Sequence, residues 1–211
     1  QHHRLAAAYL RGGRLALWIS LFLSVPLMVF AGDLFYLYLG DELVVYAEAP
    51  IVMKMLLLGF PLTYPSMMYL RICQAKGDIR PFAIRSITVQ LLNLMLTLSL
   101  VGYFGLGAVG SATATLFAFV VGYPYLFWST AIHALGLTWQ RFISDTLVPG
   151  LLPGFVSTCV GSLFFCLDLP ILSRVIFGIS MCQIAYLATL ARVLKPVDRA
   201  DIGRMISWAR T

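Results

Sequence analysis

Ser86, Gln90, Asn93 and Thr97 recur at i, i+4, i+7 and i+11 in an otherwise leucine-rich stretch. On a helix, that spacing lays four hydrogen-bonding side chains along one face. Two uses fit such a stripe: hydrogen bonds to neighbouring helices, or one wall of a polar cavity. Lys54 and Arg174 are isolated cations near the ends of apolar runs. Each either snorkels its charge toward a headgroup layer or lines a cavity for an anionic, phosphate-bearing substrate. This is binding chemistry, and no bond-making group accompanies it. The chain has no GxSxG, no phosphate loop, no HExxH and no CxxC. No catalytic residue, metal ligand or cofactor is therefore assigned, and the chain is expected not to be an enzyme. No acidic residue falls deep in an apolar run, which argues against a proton or sodium site in this segment.

The elements that carry these residues follow from composition. The chain has 211 residues, 60% hydrophobic and 11% charged, with mean hydropathy +0.88. Soluble domains carry about 25% charged residues. Less than half of that cannot coat a globule of this size, whereas a bilayer removes the need for a coat. A helix needs about 20 apolar residues to cross one, with every backbone group bonded internally. The fold class is thus an all-α membrane protein. Six spans are expected, near 15–31, 50–70, 86–104, 106–128, 146–167 and 169–191, in one helical unit, with 192–211 as a tail.

Several stretches sharpen this reading. Residues 86–140 hold no Asp, Glu, Lys or Arg over 55 positions. That is too long for one span and suits two, broken by a hairpin in "GYFGLGAVG". Pro61 and Pro65 predict a bent second span, tolerable where neighbours satisfy the freed carbonyls. Gly107 with Ser111, and Gly110 with Ala114, are small-xxx-small pairs for close helix approach. Cys73, Cys159, Cys166 and Cys182 read as small buried packing residues. "GLTWQRFISD" (136–145) reads as a short connection lying in the headgroups.

Charge distribution tests the span count. Six alternating crossings gather Arg4, Arg11, Arg14, Arg71, Lys76, Arg80, Arg85, Arg141, Arg192, Lys195, Arg199, Arg204 and Arg210 on one side. Only Lys54 and Arg174 remain opposite, beside the acidic loop of Asp33, Asp41, Glu42 and Glu48. Excess positive charge marks the cytoplasmic face, so both termini are expected there. The basic balance (pI ≈ 9.3) then has a topological cause and needs no nucleic acid. The lipid bilayer is the expected partner. The chain opens "QHHRLAAAYL" and is expected to be the rear part of a longer protein.

Three runs together resemble a known family: "RLALWISLFLSVPLMVFAGDLFYLYLGDE", "KMLLLGFPLTYPSMMYLRICQAKGDIRP" and "LNLMLTLSLVGYFGLGAVGSATATL". They are similar to the C-terminal part of the polysaccharide-biosynthesis flippases, exporters of O-antigen and capsule within the multidrug/oligosaccharidyl-lipid/polysaccharide superfamily. The resemblance covers residues 10–130; 131–211 match only as a further hydrophobic helix pair. It implies a bacterial inner-membrane transporter of two helical lobes. This chain would supply most of the C-terminal lobe of a MATE-like fold, and an N-terminal lobe would be missing. Alternating access would pass an undecaprenyl-linked oligosaccharide, such as a lipopolysaccharide repeat unit, between leaflets. Lys54, Gln90, Asn93, Thr97 and Arg174 are the cavity candidates. Two other readings stand beside it: a related exporter of drugs or other lipids, and a non-transporting membrane interaction module.

Overall fold

The computed structural model describes residues 2–196, 198 and 200, with side chains from Arg4 onward. Arg199, Arg204 and Arg210 of the basic set, and most of the expected tail, lie outside the described residues. The described chain is helical without a strand. Six helices are long and apolar enough to cross a membrane: Arg4–Val29, Ala49–Ala75, Arg80–Tyr103, Gly107–Ala134, Trp139–Cys166 and Ile171–Val193. The number matches the sequence expectation, and the chain is an all-α membrane protein. A short helix, Ala31–Leu39, follows the first span at a corner on Phe30.

Local chemistry sets the breaks. In the second span the helix tightens to i→i+3 geometry over Phe60–Thr63, which contains Pro61 and stops just before Pro65. Neither proline has an N–H to donate. Thr63 Oγ1 donates to the Phe60 carbonyl at 2.8 Å, and both prolines are fully buried. The expected irregularity is thus a packed feature inside a continuous helix. The turn after the second span is made at Gly77, whose φ of +73° favours glycine. Asp78 then accepts the Arg80 N–H at 3.0 Å, and Pro81 opens the third span, where a missing N–H costs nothing. The third-to-fourth hairpin turns on Gly105, φ +66°. The fourth span carries wide i→i+5 turns over Ala118–Gly122 and Pro124–Trp128, on either side of Tyr123.

Three expectations need correction. The first helix begins at His2 rather than near Leu15. Arg14 is therefore not a flanking charge; it lies within the helix and is 3% exposed. Residues 139–145 are not a connection in the headgroups but the start of the fifth span. Thr138, with extended backbone, accepts the Arg141 N–H at 3.3 Å and starts that helix there. Of the four cysteines, Cys73 and Cys182 are buried, but Cys159 and Cys166 are exposed.

Glycines pack the first, fifth and sixth spans together. Gly150 and Gly154, one turn apart, face Leu17 and Leu21 of the first span; Gly161, two turns on, faces Val29 and the Cys182 sulfur. Gly178 of the sixth span takes the Phe30 ring, whose tip lies 2.1 Å from where a Cβ would stand. Ser157 Oγ donates to the Cys182 carbonyl at 2.9 Å across the same seam. The Tyr186 hydroxyl donates to the Trp18 carbonyl at 2.8 Å. A second cluster joins the first, second and fourth spans around Tyr9, Tyr69, Phe127 and Trp128. There Trp128 Nε1 donates to Ser66 Oγ at 3.0 Å. Of the small pairs, Gly110 and Ala114 are buried as expected, whereas Gly107 is exposed at the turn.

Charges gather at the two ends as six crossings require. At the end holding the N-terminus, Arg14 pairs with Asp198 and donates from Nη1 to the Asp145 carbonyl at 2.6 Å. Lys195 Nζ lies 3.0 Å from the Asp145 carboxylate. Arg85 Nε donates to Thr130 Oγ1 at 2.9 Å. Asp198 is fully buried, so this residue packs against the bundle. We call this the basic end. At the other end, Asp33 meets Arg174.

Candidate functional site

The five sequence-derived candidates fall in three places. Lys54 is exposed on the second span. It lines an open groove of about 520 Å³ between the first, second and fifth spans. Met28 and Val29 form its floor, Met55 and Leu58 flank Lys54, and Thr158, Ser162 and Phe165 form the facing wall. Among the described residues no carboxylate pairs with Lys54. Thr158 Oγ1 donates to the Gly154 carbonyl and Ser162 Oγ to the Thr158 carbonyl, both at 2.9 Å. Their protons are thus used within the helix, and their oxygen lone pairs face outward as acceptors. The groove offers one cation, two hydroxyl acceptors and an apolar lining whose methionines can adjust to shape.

Arg174 is not in that lining. Its guanidinium meets Asp33 with two parallel bonds, Nε to Oδ2 at 2.8 Å and Nη2 to Oδ1 at 2.9 Å. Such a bidentate pair fixes orientation as well as charge. It ties the short helix after the first span to the start of the sixth. Phe165 lies over the Arg174 guanidinium at 5.3 Å and stacks on Phe30 at 5.4 Å. Since Phe165 also lines the groove, Arg174 stands one aromatic layer behind the groove wall. The pair occupies the arginine in place of the headgroup or cargo contacts open to it from sequence.

Gln90, Asn93 and Thr97 form the third place. Gln90 is exposed beside the Tyr123 hydroxyl of the fourth span. Asn93 and Thr97 are half-buried, and Thr97 Oγ1 reaches Asn93 Oδ1 at 3.5 Å. The stripe therefore exists, but its bonds run within the third span and toward the fourth, away from the Lys54 groove. Two groove residues, Thr158 and Ser162, escaped the sequence reading. They repeat at i and i+4 on the fifth span, the same signal that revealed the Ser86–Thr97 stripe. Asp33 was visible only as part of the acidic loop, because its partner lies 141 positions away. Among the described residues no group of three His, Cys, Asp or Glu side chains could hold a metal ion.

No curated protein and no solved structure matches the chain. A family comparison does: residues 1–99, which hold the first two spans, the short helix and most of the third span, match the MatE family model.

Proposed function

We propose that this chain forms six spans of a transporter that moves a lipid-linked oligosaccharide across the bacterial inner membrane. No bond is made or broken; the work is binding and rocking between two access states. The MatE match over residues 1–99 supports transport of this general type. The observation that carries the cargo assignment is the Lys54 groove, which combines three chemistries in one cleft. An ammonium meets the phosphate linkage of the carrier, hydroxyl acceptors meet sugar hydroxyls, and Met28, Met55 and Leu58 meet the polyprenyl chain. An N-terminal lobe of the same protein would close the groove's open side and complete the path. The excess of Lys and Arg at the basic end supports placing both termini in the cytoplasm. Gln90, Asn93 and Thr97 then serve chiefly to hold the third span against the fourth. Arg174 supports the groove wall through Phe165.

The test is translocation of a lipid-linked oligosaccharide by the full-length protein in proteoliposomes. Lys54→Ala should lower the initial rate about tenfold, the factor that about 1.4 kcal/mol of lost interaction gives. Lys54→Arg, which keeps the charge, should retain most of it. Equal rates for the wild type and Lys54→Ala would remove Lys54 from the path. Export of cationic drugs with no glycan movement would assign the groove to the drug-exporter reading instead.

A further inference from the structure

The Lys54 groove does not lie at mid-depth in the bundle. Its described lining sits at one end of three spans, the end opposite the basic end. Met28 and Val29 close the first span, and Ser162 and Phe165 fall just before Cys166, where the fifth span ends. Lys54 follows Ala49, the first residue of the second span, by five positions, about 8 Å of helix at roughly 1.5 Å per residue. Leu58 and Thr158, the deepest of the described lining, stand nine and eight positions from those ends, about 12–14 Å. Half the hydrocarbon thickness is about 15 Å. The described lining therefore fits within one leaflet. The second span has 27 residues, about 40 Å of helix against about 30 Å of hydrocarbon, so its ends reach the headgroup layers. Lys54 thus stands within snorkelling reach of phosphate depth in that leaflet.

The fold braces the groove at the same end. Arg174, held by Asp33, backs Phe165 at 5.3 Å, so one wall of the groove is fixed from behind. Transport sites shared by both faces lie near the midplane, whereas this groove is displaced to one side. We infer that it is the release station. It holds the phosphate linkage of the cargo at headgroup depth in the leaflet that the cargo enters, with the polyprenyl chain already in that leaflet. The inference rests on the proposed transport function and adds the leaflet and the step at which Lys54 acts. Loading from the leaflet at the basic end then takes place elsewhere in the full-length protein.

The test is one-sided binding to the full-length protein, free of native cysteines and carrying an environment-sensitive fluorophore on Ser162→Cys, in phosphatidylcholine vesicles at low protein density. Capture on a C-terminal tag separates vesicles with the basic end outward from those with it inward. Undecaprenyl-phosphate-linked oligosaccharide is added from outside. With the basic end inward, the signal should change on mixing. With the basic end outward, it should change only as fast as cargo is translocated. Lys54→Ala should weaken the prompt binding about tenfold, and Lys54→Arg should keep most of it. A prompt signal with the basic end outward would overturn the inference, and so would wild-type affinity in Lys54→Ala. Either result leaves a Lys54-dependent transport rate, and with it the transport function, standing. Equal saturation by phosphatidylglycerol added from the same side would uphold the position of the site, assign it to phospholipid headgroups and remove the cargo reading.

Discussion

Arg14→Ala is expected to cost about 3–5 kcal/mol of folding stability, the usual result of removing one member of a buried ion pair. Arg14 and Asp198 are 3% and 0% exposed. Without the guanidinium, Asp198 keeps, among the described residues, only the Lys195 N–H, at 3.1 Å, in a site with almost no access to water. The Asp145 carbonyl loses its donor as well. The damage should be local in origin and wide in reach, because this pair joins the first span to the start of the fifth and to the segment after the sixth. Replacing both partners with apolar residues, Arg14→Met with Asp198→Leu, removes the unpaired charge. That double variant should recover most of the loss, since apolar replacement of a buried pair is often neutral or better. Chemical or thermal unfolding of the four proteins in detergent measures the cycle. Equal stability for the wild type and Arg14→Ala would show that the pair is not buried as described.

Gly178→Ala should be the most damaging single-methyl addition among the described glycines. A Cβ there would stand 2.1 Å from the Phe30 ring tip, with further ring atoms at 2.7 and 3.0 Å. Phe30 has no exposed surface and stacks on Phe165. The ring cannot swing aside without disturbing the wall that backs the Lys54 groove. Overpacking of this kind costs about 1–3 kcal/mol, and the rigid ring puts this site at the upper end. Shortening the ring partner should relieve it. Phe30→Leu alone loses contacts, yet Gly178→Ala/Phe30→Leu should be less destabilised than the sum of the two single changes. Contacting residues show such non-additivity, whereas distant ones do not. Additive losses would show that residue 178 does not face residue 30.

How much of this was legible beforehand depends on the range of the signal. The six spans follow from local hydropathy, and the charged positions between them follow from the same alternation. The irregular turn near Pro61 and Pro65 and the hairpin at Gly105 are single-residue effects, and both were readable. The start of the fifth span was misread because Trp139, Arg141 and Asp145 look interfacial by composition. Capping by Thr138 shows that polar residues can open a membrane helix as well as connect two of them. Arg14 was misread for a related reason. Its burial depends on Asp198, which lies 184 positions away, and local periodicity carries no information about such a partner. The same holds for Asp33 and Arg174. Periodicity does mark faces: the Ser86–Thr97 stripe and the Gly150–Gly154–Gly161 line both exist. It does not say what a face meets, and the first of these turned out to bond within its own helix and toward the fourth span.

The central claim is that the cleft between the first, second and fifth spans is a cargo path and not merely a lipid-facing seam. Ser162 lines it opposite Lys54, and a cysteine differs little from serine in size. In a full-length protein lacking its native cysteines, Ser162→Cys should react with a membrane-impermeant thiol reagent. Saturating lipid-linked oligosaccharide should slow that reaction about tenfold, while leaving a cysteine placed at exposed Ser180 on the sixth span unaffected. Reaction only with lipid-soluble reagents, at a rate that cargo does not change, would contradict the account.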